Sequence, residues 1–145
     1  MLFKNDSESL QLDIVNYEFP ADGGAPGSDD RNWLVLRATW KTEDGIVKDT
    51  NSCLLTYELR EMTAGLKVLN AGIREYYESL FAEPYFSVVG QLTERDTVAL
   101  EVTFYLPNTM EGDETAEIEC EMTHEEMKEL IGELDKLCAK FPDRK

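Results

Sequence analysis

The chain is poor in the residues that most enzyme chemistry uses. It has one histidine, His124, in 145 residues. No matched Cys or Ser elbow such as GxSxG lies nearby for it to activate, and His124-Glu125-Glu126-Met127-Lys128 lacks the second histidine of the zinc-hydrolase pattern HExxH. His124 is therefore read as a solvated surface residue. Cysteine is also scarce. Cys53, Cys120 and Cys138 are odd in number, far apart and without a CxxC pair, which excludes a disulfide framework and a zinc site and leaves three buried thiols. The glycines of Pro20–Asp30 do not match GxGxxG or GxxxxGK[ST], and nothing basic follows them to hold a phosphate. No apolar run reaches the roughly 18 to 20 residues that cross a bilayer, and the start "MLFKNDSESL" lacks the basic and apolar parts of a signal peptide, so a cytoplasmic chain without a membrane role is expected.

Cations are in deficit as well. Fourteen Lys and Arg stand against thirty Asp and Glu, a formal charge of −16. Such a chain repels phosphate backbones and anionic lipids, which argues against direct nucleic-acid binding, and it favours a basic partner if it has one. Solubility alone is the plainer reading of the same charge. Carboxylates this plentiful have no specificity as a catalytic pair, and neither "DGIVKDTNSCL" nor "MEGDETAE" reproduces a calcium-binding EF-hand loop. No catalytic residue, metal site or cofactor is expected.

What is present is a core. Hydrophobic residues make up 42% of the sequence and aromatics 10%, enough to fold one domain spanning residues 1–145. Leu10, Leu12 and Ile14 alternate, then the phase slips by one to Tyr17 and Phe19, which predicts a bulge near Val15–Asn16. "PADGGAPGSDD" reads as a long loop. From Trp33 to Trp40 alternation resumes on a central strand, and Asp44–Gly45 marks a tight hairpin. Thr56 is read as the N-cap of a helix whose core stripe is Leu59, Met62, Leu66, Leu69 and Ile73, ended near Gly72. Strands follow at Tyr85–Leu92, in "TVALEVTFYL" and in "AEIECEM", the last two joined by a polar hairpin loop, "PNTMEGDETA". Thr123 and Glu126 fit a capping box that opens a C-terminal helix, with Met122 and Met127 in the staple positions. The fold class is α+β: a mostly antiparallel curved sheet of about five to seven strands, with one internal helix and a C-terminal helix packed on it.

Acid is concentrated at one end. From Glu111 to Asp135 there are eleven acids and one base, Lys128. Glu117, Glu119 and Glu121 alternate on a strand and should share a face, joined by Glu101 and Tyr105 if "TVALEVTFYL" pairs beside it. One reading is a solvated face that keeps a sheet edge from aggregating. The other is a partner-binding surface of Glu101, Tyr105, Glu117, Glu119 and Glu121, with the tyrosine as an aromatic anchor.

Taken together, "DDRNWLVLR", "CLLTYELREM", "FAEPYFSV" and a closing "KFPDR" resemble the WapI family of bacterial immunity proteins over about Asp29 to Arg144. The resemblance implies a cytoplasmic protein without catalysis that binds and neutralises a cognate toxin domain; such toxins are often nucleases. On this reading Asp30 and Asn32 bond local backbone where a loop turns into a strand, and Glu83 before Pro84 plays a similar part. A different class of protein stays open: a small-ligand binder or enzyme with a pocket lined by Tyr17, Tyr85, Tyr105, Glu83 and Glu101.

Overall fold

Apolar–polar alternation fills the first third of the chain, and the computed structural model, which describes residues 1–109 and 114–145, folds it as an antiparallel meander. β1 (Leu2–Lys4), β2 (Ser9–Tyr17), β3 (Trp33–Thr42) and β4 (Gly45–Leu55) lie side by side in chain order. After α1 (Thr56–Asn70) a second sheet begins: β5 (Tyr76–Glu78), β6 (Phe86–Leu92), β7 (Thr97–Leu106) and β8 (Glu114–Thr123), again antiparallel and in order. α2 (His124–Lys140) follows. The α+β class holds, but the single curved sheet does not: among the described residues there are two sheets of four strands. Alternation says which side chains turn inward and not which strand lies beside which, so the break at α1 carries no signal in the pattern.

The local details follow from the residues. Ile14 pairs with Leu36 and Asn16 with Val35, so Val15 is the extra residue of the expected bulge. Thr42 pairs with Gly45 across Glu43 and Asp44, and Gly45, at φ +130°, takes the positive dihedral that this corner needs. A second shift, between Leu34 and Val35, skips Cys53 and allows Cys53, Leu54 and Leu55 to be buried in succession. Residues 110–113 of the expected hairpin loop lie outside the described residues, Glu111 and Asp113 of the acidic tract among them, and its last three, Glu114, Thr115 and Ala116, belong to β8.

Two expectations about α1 are corrected. Thr56 is its first residue and not its cap; Leu55 precedes it and has no side-chain oxygen to offer. The buried N–H of Leu55 is met by Glu58, whose Oε1 accepts it at 3.0 Å while Oε2 accepts the N–H of Ala82 at 2.6 Å. Glu58 is thus a buried joint, 3% exposed, between the helix start and the approach to β6. At the other end Gly72, at φ +74°, donates to the Leu69 carbonyl and Ile73 to that of Val68, a Schellman closure. The reversal throws Ile73 into solvent, 74% exposed, so the stripe ends at Leu69.

α2 starts as its sequence requires. Thr123 Oγ1 accepts from the Glu126 N–H at 3.1 Å, and Glu126 Oε1 accepts from the Thr123 N–H at 3.0 Å. Met127, Leu130, Ile131 and Leu134 are buried in a core that draws on both sheets and both helices. Polar clasps tie the sheets at their margins: Asn5 Nδ2 donates to the Glu119 carbonyl at 2.8 Å, and Asp49 accepts from the Asn108 backbone at 2.6 Å and its side chain at 2.8 Å.

Candidate partner-binding face

The register of β8 on β7 decides where the acidic row points. Ile118 pairs with Val102 and Cys120 with Leu100, all turned into the core, so Glu117, Glu119 and Glu121 stand outward opposite Thr103, Glu101 and Ala99. Tyr105 lies opposite Thr115 on the same face. The five residues singled out from the sequence therefore share one outward surface.

That surface continues across the sheet. Val89 of β6 pairs with Glu101 and with Glu78 of β5, so Glu78, Val89, Glu101 and Glu119 form one row over four strands. The neighbouring row is Tyr76, Gln91, Ala99 and Glu121. Tyr85 closes one end: its ring lies 5.2 Å from that of Tyr105, and its carbonyl accepts the Tyr105 N–H at 2.7 Å. Glu78 and Tyr76 have no counterpart among the residues singled out from the sequence, whereas Tyr85 stands there only in the alternative pocket. The alternation of Tyr76, Tyr77 and Glu78 was the available signal, but three residues are too few to separate a strand from a loop.

The acids on this face are not equivalent. Arg95 donates from Nε at 3.1 Å and Nη2 at 2.9 Å to the two oxygens of Glu121, and the Thr97 hydroxyl adds a third bond. These hydrogen bonds, Arg95 first, hold the Glu121 carboxyl below its ordinary value. Glu101, Glu117 and Glu119 form no ion pair among the described residues. Glu101 and Glu119 are direct cross-strand neighbours, an arrangement that costs stability for like charges.

The residues of the alternative pocket are only partly brought together. Tyr85, Tyr105 and Glu101 lie on this face, but Tyr17 is engaged elsewhere: its hydroxyl donates to the Pro142 carbonyl at 2.6 Å, and the Arg144 guanidinium sits 3.4 Å above its ring. Arg31 and Asn32 belong to that same tail contact. Asp29–Arg31 form one 3-10 turn, and Asn32, buried, accepts the Arg144 N–H at 2.7 Å and donates to the Arg144 carbonyl at 3.1 Å. Asn32 thus clamps distant backbone, where the sequence suggested local backbone.

His124 is not a solvated residue. Its side chain is 29% exposed, with Nδ1 at 2.7 Å from Asn70 Oδ1 and Nε2 at 3.1 Å from Asp96 Oδ1. It pins the end of α1 and the β6–β7 turn to the start of α2. Burial pushes the Cys53 thiol up to about 12 and the Cys120 thiol up to about 11, which makes both poor nucleophiles. Cys138 is only half-buried, against the expectation of three buried thiols.

Compared with known proteins, the chain matches the model of the Immunity protein WapI-like family over residues 1–142. No curated protein and no solved structure matches it.

Proposed function

Because the chain belongs to the Immunity protein WapI-like family, we propose that it binds a cognate bacterial toxin domain in the cytoplasm and neutralises it by occupancy, without catalysis of its own. The toxin is a basic nuclease, and the surface that meets it is the outer face of the second sheet. The observation that carries this reading is the group Glu101, Glu117 and Glu119, which form no ion pair among the described residues, with Tyr105 beside them. A charge row of this kind is complementary to the basic groove with which a nuclease grips phosphates. It would speed encounter through long-range attraction, an effect that fades as salt rises.

The test uses the C-terminal toxin domain encoded beside this gene. Wild type should bind it and protect cells that express it. Glu117→Gln, Glu119→Gln and Glu121→Gln together should weaken binding at least tenfold, about 1.4 kcal/mol, chiefly through slower association at low salt. Equal association rates for wild type and triple variant at both low and high salt would move the interface elsewhere, first to the loop from Pro20 to Asp30. His124→Gln should leave protection intact; a hundredfold loss with the fold retained would point back to an enzyme.

A further inference from the structure

The middle of the outer face is hollow. Around Ala99 the second sheet carries an open depression of about 410 Å³. Its floor is set by Val89 and Ala99, short side chains at the centre of the two rows, and by the backbone of Gly90 between them. Glu101, Glu119 and the Arg95-bound Glu121 line it as well. Asn5 closes the side where the two sheets meet, and it is fixed there: Nδ2 donates to the Glu119 carbonyl at 2.8 Å, and Oδ1 accepts the N–H groups of Ser7 and Glu8, each at 2.9 Å. The hollow is therefore a formed feature with one preset wall.

Its chemistry is selective. An aliphatic floor beneath a carboxylate rim suits a side chain with an apolar stem and a cationic head, and suits an acid or a purely apolar group poorly. The contrast with Glu121 sharpens this. At that position the chain supplies Arg95 in two hydrogen bonds, whereas one step along the strand Glu119 faces Glu101 with no cation between them. The repulsion is present in the free protein and would be relieved by a positive group from outside. Resting on the toxin-binding reading above, we infer that this depression receives a lysine or arginine side chain of the toxin, its stem over Val89 and Ala99 and its charged head between Glu101 and Glu119.

Two variants separate the shape of the hollow from its charge. Ala99→Leu fills the floor and changes no charge; Glu101→Gln with Glu119→Gln removes the charge and keeps the shape. Each is compared with wild type for affinity and rates toward the toxin domain encoded beside this gene, and for its thermal midpoint. Ala99→Leu should weaken binding at least tenfold through faster dissociation, with the salt dependence of association unchanged. The Gln pair should weaken binding at least tenfold while raising the thermal midpoint of the free protein. If Ala99→Leu does not fold, the Gln pair decides alone: lost affinity together with raised stability supports the inference, and unchanged affinity overturns it. Binding by wild type with both variants equally tight overturns the inference and leaves the toxin reading standing. Failure of wild type itself to bind overturns both.

Discussion

Thr123 and Asn32 mark the limits of what one residue reveals in a sequence. Thr123 caps α2 through Glu126, three positions away, so both partners are legible together. Asn32 reaches Arg144, 112 positions away, and only the fold brings them into contact. Thr123→Ala should cost about 1 kcal/mol, the usual worth of a cap. Asn32→Ala removes two hydrogen bonds at a buried position and should cost about 2 kcal/mol, taking each at about 1 kcal/mol. Urea unfolding measures both, and a smaller loss at Asn32 than at Thr123 would refute the clamp. Arg95 offers a pH test. Its bonds lower the Glu121 pKa from an ordinary 4.5, so the pair's stabilisation is complete above that value and is lost as pH falls through the folded pKa. In an NMR titration Arg95→Ala should return the Glu121 carboxyl toward 4.5. An unmoved titration would mean that Arg95 is not the cause.

At the scale of elements, β5 was the hardest to see, and α1 explains why it exists. Strand propensity over three residues is weak; Tyr77 docks against the helix instead. A methyl group at Gly65 would lie 2.3 Å from Tyr77 Cε1, so the helix keeps a glycine in its interior to seat the ring. Two effects compete on substitution. Gly65→Ala gains about 0.8 to 1 kcal/mol of helix propensity, while overpacking against an aromatic ring costs about 1 to 3 kcal/mol. The clash should win by up to about 2 kcal/mol in wild type. With Tyr77→Ala already in place the clash is gone, and Gly65→Ala should become stabilising by about 1 kcal/mol. A double-mutant cycle by urea melts checks the reversal, and additive effects would show that Tyr77 does not rest on Gly65. The longer elements were legible because their apolar spacing repeats over two or more turns or strand pairs: Leu59, Met62, Leu66 and Leu69, or Val98, Leu100, Val102 and Phe104. The pairing of those strands into two sheets was not, since nothing in the alternation of β4 or β6 names a neighbour.

For the whole molecule, the net charge of −16 acts on stability and on association in opposite senses. The surface pairs Arg60–Asp143, Lys67–Asp135, Arg95–Glu121 and Lys128–Glu125 are exposed, so water and salt screen the attraction in each of them. Fourteen Lys and Arg cannot offset thirty acids, so added salt should relieve more repulsion than the attraction it weakens. Raising salt from about 0.01 M to about 0.15 M shortens the Debye length from about 30 Å to about 8 Å, which removes repulsion across the molecule but not between neighbours in one row. The thermal midpoint should therefore rise by several degrees, while the rate of association with a basic toxin domain falls. Glu101→Gln with Glu119→Gln should keep its gain in midpoint at the higher salt, because adjacent strands stand only about 5 Å apart, inside the Debye length. Melting curves at the two salt concentrations, run beside stopped-flow association, test both signs. A midpoint that falls with salt would mean that the ion pairs outweigh the acidic surplus, and the charge of the outer face would then have to be explained by something other than a waiting basic partner.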